Sequence, residues 1–149
     1  MKVKIISVAE VTNNPMFADM CTEYANESGN ADIGFSLPNT RFYKTMESLG
    51  RCFCVGVFDG EDMVGFAALL LNEHPHYSTN IGVCDAIFIK REFRKGPVGL
   101  RLIRKVRELA KEKGAPGVYF SAPANSRLSI LFARLFNETD RMYWAKSKE

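Results

Sequence analysis

The segment CFCVGVFDGEDMVGFAALLL, residues 52–71, constrains the fold more than any other stretch of the chain. Apolar, aromatic and β-branched residues lead up to Asp59-Gly60 and continue after it, which is the pattern of two strands joined by a tight turn. The Asp-Gly dipeptide tolerates the positive φ that such a turn requires. The segment therefore predicts an antiparallel hairpin.

Shorter patterns place other elements before this hairpin. Residues 1–8 alternate in polarity, which suits an opening strand, and two short helices are predicted after it. The first helix is expected to be capped by Asn13 or Asn14, and the second to begin at Pro38 or Asn39. The predicted apolar stripe of the second helix is Phe42, Met46 and Leu49.

Beyond the hairpin, strands and helices are predicted to alternate. The polar loop NEHPHYSTN leads to the strand IGVCDAIFIK, and GVYFSAP and TDRMYWAK are later strands, the last one closing the sheet. Between these strands lie a basic amphipathic helix and a helix capped by Asn125. The predicted apolar face of the basic helix is Val98, Leu102, Ile103, Val106, Leu109 and Ala110. A strand-helix-strand crossover late in an otherwise antiparallel chain predicts an α/β (α+β mixed) fold: a central mixed, mostly antiparallel sheet flanked by helices.

Composition limits the class of protein. The 149 residues are 46% hydrophobic and 25% charged, so we expect one domain over residues 1–149. The four cysteines lack zinc-ligand spacing and there are two histidines, so no metal site is expected. The charged start does not resemble a signal peptide, and no apolar run is long enough to cross a bilayer. These features predict a soluble cytoplasmic protein with reduced thiols and no membrane partner.

The basic residues are concentrated in one segment. From Lys90 to Lys113, ten lysines and arginines face three glutamates, which gives +7 in a chain of net charge +3 and leaves −4 for the remainder. A nucleic-acid-binding module that uses this 90–113 helix is one hypothesis, although few aromatic residues interleave with its cations. Because charged helix faces are usually only solvated, no nucleic-acid partner is expected.

The start of the same helix has the composition of an anion site. The sequence there is Arg94-Lys95-Gly96-Pro97-Val98-Gly99, which puts glycines and two cations beside the unpaired amides of a helix N-terminus. A diphosphate would fit such a loop. The alternative is structural: Gly96-Pro97 would serve only as a helix start, and Gly99 only as a close helix–sheet contact.

The segment AIFIKREFRKGPVGLRLI resembles the acetyl-coenzyme-A signature of the GNAT N-acetyltransferase superfamily. In that signature a strand ends on an apolar residue, and the pattern Arg/Gln-x-x-Gly-x-Gly/Ala opens the helix that follows. In this sequence Ile89, Arg94 and Gly99 match the signature, and Pro97 stands in place of its first glycine. The order of elements is also similar over nearly the whole chain. Compact phage-encoded members are similar in size and in a final strand with Tyr and Lys, here Tyr143 and Lys146.

The resemblance implies acetyl-CoA as the cofactor and assigns residues to it. Arg94 and the backbone amides of the loop would bind the pyrophosphate, and the strand 85–89 would hold the pantetheine, with Asn125 bonding it in addition to capping its helix. Phe132 occupies the position of the family's usual tyrosine acid. The implied cofactor-binding residues are Ile87, Phe88, Ile89, Arg94, Lys95, Gly96, Val98, Gly99, Leu100, Asn125 and Phe132.

Acetyl transfer to an amine also needs proton transfer. Asp85 is the charged residue inside the apolar strand that leads to the cofactor motif, so it is the candidate base, with a raised pKa expected; it can also be a solvated strand residue. His74 and His76 are weaker relay candidates, as is Glu73. Tyr143, Tyr119 or a water is the candidate acid in place of Phe132.

The resemblance therefore implies an acetyl-CoA-dependent N-acetyltransferase with an amine-bearing small molecule or protein as acceptor. A catalytically impaired binding protein on the same fold is the alternative, which Pro97 and Phe132 favour. The acceptor would be held by the two early helices and the loops ESGNADIGFSLPN and NEHPHYSTN, which contain no recognised motif. The oligomeric state stays open, a homodimer included.

Overall fold

The computed structural model describes residues 1–148, which form five strands, five α-helices and one 3₁₀ turn. The strands are β1 (Lys2–Ile6), β2 (Cys52–Asp59), β3 (Asp62–His74), β4 (Thr79–Ile89) and β5 (Val118–Phe120). The helices are α1 (Val8–Thr12), α2 (Phe17–Ser28), α3 (Thr40–Ser48), α4 (Val98–Glu112) and α5 (Arg127–Leu135), and the 3₁₀ turn at Arg91–Phe93 precedes α4.

The strands form one sheet in the order β1-β2-β3-β4-β5. The first three pairings are antiparallel, and β4 pairs with β5 in parallel because α4 crosses over between them. The prediction of a mixed, mostly antiparallel sheet flanked by helices is therefore confirmed.

The predicted hairpin is the β2–β3 pair. Asp59 pairs with Asp62 across a two-residue turn, and Gly60 has a φ of +61°, as the turn requires. The hairpin that follows is longer than its sequence indicates, since β3 runs to His74 and β4 begins at Thr79. Most of the predicted polar loop NEHPHYSTN is therefore strand, and only residues 75–78 form the turn.

One face of the sheet is covered by α4. All six apolar residues predicted for its inner face are buried, and all of them except Ile103 belong to the cluster that includes residues of β2, β3 and β4 on that side. The six residues are Val98, Leu102, Ile103, Val106, Leu109 and Ala110. An apolar stripe of this width fixes the helix on the sheet.

The other face is covered by α1, α2 and α3. Ser7 begins α1 with a reciprocal capping box, in which its hydroxyl accepts from the Glu10 amide and Glu10 accepts from the Ser7 amide. The prediction of one helix capped by Asn13 or Asn14 was wrong, because the chain forms two helices there and α2 has no side-chain cap. Asn39 caps α3 as predicted.

The predicted apolar stripe of α3 was also wrong in part. Phe42 and Leu49 are 45% and 64% exposed. The inner face of α3 is formed instead by the half-buried residues Tyr43, Met46 and Glu47, and no residue of α3 is fully buried. Phe42 is one position before Tyr43 and so lies off this face, and Leu49 follows the last residue of α3.

The end of the chain differs from its prediction. Residues 137–148 form no strand, so the closing strand TDRMYWAK was wrong. Instead, the Trp144 indole donates to Asp32 at 2.9 Å and the Lys146 ammonium lies 3.3 Å from the same carboxylate, in the loop between α2 and α3. Asn125 does not cap α5, since it adopts a φ of +58° and Ser126 is the cap.

Close contact between β3 and β4 explains why residue 65 is a glycine. A Cβ on Gly65 in β3 would lie 2.7 Å from the Phe88 carbonyl oxygen and 2.9 Å from the Ile89 side chain in β4. Such distances are too short for any side chain. Gly65 therefore sets how closely β3 and β4 approach.

The four cysteines are buried free thiols, as predicted. Within residues 1–148, no helix is both long and apolar enough to span a bilayer. In the same range no group of three or more His, Cys, Asp or Glu side chains is arranged to hold a metal ion.

Candidate active site

The sheet opens between β4 and β5. Their parallel pairing covers three residue pairs and ends where Cys84 faces Phe120, while β4 continues to Ile89. The backbone edge of residues 85–89 therefore faces a gap instead of a strand. We call this gap the sheet opening.

Asp85 lies at the start of the sheet opening, on a β-bulge. In the β3–β4 register Leu69 faces Cys84 and Ala68 faces Ala86, so Asp85 is the extra residue without a partner. Its carboxylate accepts a short hydrogen bond from the Tyr43 hydroxyl of α3. The bulge therefore turns Asp85 out of the strand alternation and towards the helices of that face.

Two tyrosines surround Asp85. Burial raises the pKa of Tyr43, and the hydrogen bond to Asp85 and the charge of Asp85 raise it further. Burial also raises the pKa of Tyr24 in α2, to which the nearby Cys84 and Asp85 contribute as well. Both phenols therefore stay protonated at neutral pH, and Tyr43 is a constant donor to Asp85.

The start of α4 presents open backbone amides. Gly96 has a φ of +65°, and Pro97 precedes α4 without any side-chain capping bond. A Cβ on Gly99 would meet nothing within 4 Å, so Gly99 is not the close helix–sheet contact that the structural alternative requires. The loop Arg94–Gly99 thus keeps space and amides for an anion, and we call it the candidate phosphate loop.

Arg94 is less available to an anion than the sequence suggests. Its Nε donates to the Ile89 carbonyl oxygen at 2.6 Å, and its Nη2 lies 3.0 and 2.8 Å from the two carboxylate oxygens of Glu27. The guanidinium also lies over the Phe88 ring, 5.3 Å from its centre. Lys95 is exposed and is the cation of this loop that remains available.

The apolar residues predicted to bind pantetheine divide between the two faces of β4. Ile87 and Ile89 pack with the α4 side of the core, and Phe88 packs with the α2 side. What faces the sheet opening along this stretch is therefore mainly backbone.

Phe132 belongs to an aromatic cluster beside β5. Its ring centre lies 5.3 Å from that of Phe120 and 5.9 Å from that of Phe136, and Phe120 and Phe136 are stacked. Phe132 is buried, and the cluster contains no hydroxyl. The structure therefore has an apolar, aromatic wall at this position beside β5.

The other proton-relay candidates lie apart from Asp85. His74 and His76 stack with Tyr77 at the β3–β4 turn, and Thr79 opposite His74 is six residues from Asp85, about 20 Å along the strand. Tyr143 is 86% exposed, on the segment that contacts Asp32. Asp85 and the candidate phosphate loop lie at the two ends of one strand segment, whereas the His pair and Tyr143 are outside that arrangement.

One surface pocket lies away from the sheet opening. A shallow pocket of about 470 Å³ lies between the end of α2 and the loop that follows it, with Asn26, Asn30 and Phe35 in its lining. Neither Asp85 nor Tyr43 lines it. This pocket belongs to the loop expected to contact the acceptor.

Sequence reasoning missed Tyr43 and Tyr24. Tyr24 falls at helical spacing with apolar residues, which indicates a core position, and Phe42, beside Tyr43, was predicted to face the core in its place. The available signal was spacing, since Tyr43, Met46 and Glu47 fall at i, i+3 and i+4.

Comparison with known proteins agrees with this geometry. The model of the acetyltransferase (GNAT) family matches residues 18–136. A ribosomal-protein-alanine N-acetyltransferase from Brucella melitensis is similar in structure, with a TM-score of 0.70 at 14% identity over 97% of this chain and 96% of that one. An aminoglycoside acetyltransferase from an uncultured soil metagenomic sample, in complex with sisomicin, has a TM-score of 0.71 at 15% identity, covering 99% and 96%.

A mutant of the BH1408 protein from Bacillus halodurans has a TM-score of 0.76 at 11% identity, covering 98% of each chain. No curated protein sequence matches this chain. The structural neighbours are too distant in sequence to show more than the shared fold, but the family match spans most of the chain. The chain therefore belongs to the acetyltransferase (GNAT) family.

Proposed function

We propose that this protein is an acetyl-CoA-dependent N-acetyltransferase that transfers an acetyl group directly to a primary amine. The observation that carries the proposal is the strand segment 85–89, which has the Asp85 carboxylate at one end and leads to the candidate phosphate loop at the other. A carboxylate beside the sheet opening and an anion site beyond it are the two groups that the reaction needs.

The residues of the candidate phosphate loop fit a pyrophosphate. The amides of Gly96, Val98 and Gly99 lie at the positive end of the α4 dipole, and Gly99 leaves room for close approach. The Leu100 amide and the exposed Lys95 ammonium complete the set, whereas the Lys95 amide, also expected to contribute, already donates to the Phe93 carbonyl oxygen at 2.8 Å. Acetyl-CoA bound there would supply the thioester carbonyl. Pro97 lacks an amide, so one contact available to a glycine is absent.

Asp85 is proposed to receive the proton of the acceptor. An alkyl ammonium has a pKa of about 10.4, so making it neutral at pH 7 costs about 4.6 kcal/mol without a base. A carboxylate at the sheet opening, directly or through a water, accepts that proton, and the neutral amine then attacks the thioester carbonyl. The Tyr43 hydroxyl already donates to one oxygen of the Asp85 carboxylate, so the other oxygen is the one proposed to accept the proton of the acceptor amine.

The departing thiolate needs less help. A thiol has a pKa of about 8.5, so its anion is a tolerable leaving group, and water at the sheet opening can protonate it. Phe132 and its aromatic neighbours supply no proton. Tyr143 stays a candidate acid only if its exposed segment approaches the site during the reaction.

The acceptor is proposed to be a cationic amine. The chain outside residues 90–113 carries −4, which favours such a ligand by long-range attraction. Two structural neighbours are an aminoglycoside acetyltransferase and a ribosomal-protein-alanine N-acetyltransferase, whose names describe amine acceptors. Small amines and peptide N-termini are therefore the first acceptors to test.

A catalytically impaired binding protein is the second candidate. The absence of a hydroxyl at Phe132 and of an amide at Pro97 favours it. Such a protein would bind acetyl-CoA and release no coenzyme A with any amine. A nucleic-acid-binding module would instead show affinity that falls steeply with salt and no acetyl-CoA binding.

The first test is calorimetric titration with acetyl-CoA. The wild type is expected to bind saturably, and Gly99→Glu, which puts an anion in the candidate phosphate loop, is expected not to bind. Gly117→Glu is the matched control, since Gly117 also has open space at its Cβ and lies beyond the other end of α4. Absence of binding by the wild type would refute the proposal.

The second test is release of coenzyme A in the presence of an amine panel. Asp85→Asn is expected to keep acetyl-CoA binding and to lose about 10²-fold or more in kcat, the usual contribution of a positioned base. Binding without turnover by the wild type across small amines, aminoglycosides and peptide N-termini would favour the impaired binding protein.

A further inference from the structure

Helix α3 is held against the sheet by polar contacts more than by apolar burial. None of its residues is fully buried, and its inner face carries Tyr43, Met46 and Glu47. The Glu47 carboxylate accepts from the Val8 amide at 2.8 Å, at the start of α1. Tyr43, one turn earlier, donates to Asp85 of β4. The same helix face thus binds α1 at one end and the bulge of β4 at the other.

The surroundings of Asp85 single out Tyr43. Tyr24, Cys52 and Cys84 are close enough for the Asp85 charge to affect them, but only Tyr43 hydrogen-bonds the carboxylate through its side chain within residues 1–148. Within the same range no lysine, arginine or histidine forms an ion pair with Asp85. A single neutral donor therefore determines the orientation of this exposed carboxylate.

We propose that Tyr43 is a positioning residue for Asp85, fixing one carboxylate oxygen so that the other stays directed to the acceptor amine. The proposal rests on the function proposed above. Tyr43 remains a phenol throughout the physiological range, so it holds the carboxylate and does not itself transfer a proton. Its role is to pre-orient the base.

The kinetic test compares Tyr43→Phe with the wild type. The variant keeps the ring and loses only the hydroxyl, so kcat is expected to fall about 10- to 100-fold, as expected for one lost hydrogen bond to a charged group. The KM for acetyl-CoA is expected to stay unchanged, so that kcat falls alone, whereas a purely structural disturbance of α3 would change KM and kcat together. Thr139→Val, which loses an exposed hydroxyl on the segment after α5, is the control and should equal the wild type.

A second measurement does not depend on activity. In protein labelled with ¹³C at tyrosine Cζ, the Tyr43 signal is identified by its loss in Tyr43→Phe. Asp85→Asn is expected to move that signal upfield, because the phenol no longer donates to a carboxylate, and to leave the Tyr77 and Tyr143 signals unchanged.

The outcomes separate the two proposals. An active wild type with an equally active Tyr43→Phe would overturn the positioning role and leave the acetyltransferase proposal intact. A wild type that turns over no amine would overturn the proposed function and, with it, the role of Tyr43 in that reaction. An unchanged Tyr43 signal in Asp85→Asn would overturn the contact itself, whatever the activity.

Discussion

Glu27 and Arg94 join the second helix to the end of the central strand. The Arg94 Nη2 lies 3.0 and 2.8 Å from the two Glu27 oxygens, while its Nε caps the Ile89 carbonyl and its guanidinium covers the Phe88 ring. Arg94 thus shapes the approach to the candidate phosphate loop by fastening it to α2. A residue that the sequence suggests for anion binding serves here to fix the backbone beside the candidate phosphate loop.

Glu27→Gln is expected to lower the free energy of unfolding by no more than about 1 kcal/mol. The reason is exposure, since the side chains of Arg94 and Glu27 are 38% and 32% exposed, and solvent screens such pairs. Urea unfolding measures the change. Glu138→Gln breaks the still more exposed pair with Arg141 and is the control that should not change stability. A loss of several kcal/mol in Glu27→Gln would show that the pair is much stronger than its exposure implies.

Gly99→Ala is expected to stabilise the protein and weaken acetyl-CoA binding. Gly99 lies in the first turn of α4 and its Cβ would meet no atom within 4 Å, so alanine should gain about 0.5–1 kcal/mol of helix stability. The added methyl group would stand where a pyrophosphate approaches the backbone. Thermal unfolding and calorimetric titration measure the two effects.

Gly96→Ala gives the contrast for that experiment. Gly96 has a φ of +65°, so alanine there is strained and should destabilise the protein by about 1 kcal/mol. If Gly99→Ala bound acetyl-CoA as tightly as the wild type, close approach to the Gly99 backbone would play no part in binding.

Asp32→Ala is expected to release the segment 137–148. The chain has one tryptophan, Trp144, whose indole donates to Asp32, and Lys146 pairs with the same carboxylate. Loss of both contacts should shift Trp144 emission to the red and increase its quenching by acrylamide. Asp140→Ala changes a carboxylate on the same segment that bonds only Thr139, so its spectrum should match the wild type. Equal quenching in Asp32→Ala and the wild type would show that Asp32 does not hold the segment.

The buried thiols predict a loss of stability in alkaline solution. Burial raises the pKa of Cys21 to about 11, and burial with the Asp85 charge raises that of Cys84 to about 12. The pKa of a thiol in the unfolded chain is about 9.0, so above that pH the unfolded state releases protons that the folded state keeps. The contribution of these thiols is therefore full below about pH 9 and is lost as the pH rises towards about 12.

Urea unfolding in reducing buffer at about pH 8 and about pH 10 tests this effect. Cys84→Ala should be less stable than the wild type at the lower pH, because it leaves a cavity, but should lose less stability on going to the higher pH. A loss equal to that of the wild type would assign the pH dependence to other groups.

Much of the fold was predictable from local patterns. The Asp59-Gly60 turn and the inner face of α4 were identified correctly, because the first needs only a positive φ and the second has six apolar residues at one helical spacing. The inner face of α3 was not identified correctly, since Tyr43 and Glu47 make polar contacts that an apolar pattern cannot reveal.

Residues of the candidate site were predictable only where their residue type differed clearly from that of the surrounding segment. Asp85 stands out as a charge in an apolar strand, but the bulge that turns it towards α3 depends on the register of β3. Arg94 was identified as a loop cation, yet its partner Glu27 is 67 residues away in sequence. The prediction of a closing strand failed because Trp144 and Lys146 bind Asp32, which a residue pattern does not show.

Gly65 has no reactive side chain, yet the geometry of the candidate site depends on it. A methyl group there would press on the Phe88 carbonyl and the Ile89 side chain, within the strand segment that joins Asp85 to the candidate phosphate loop. In a saturation screen scored by acetyl transfer, Gly65 should therefore tolerate as few substitutions as Asp85. Positions that tolerate few substitutions in this family member will thus include those that set the spacing between its strands as well as those that contact the substrate.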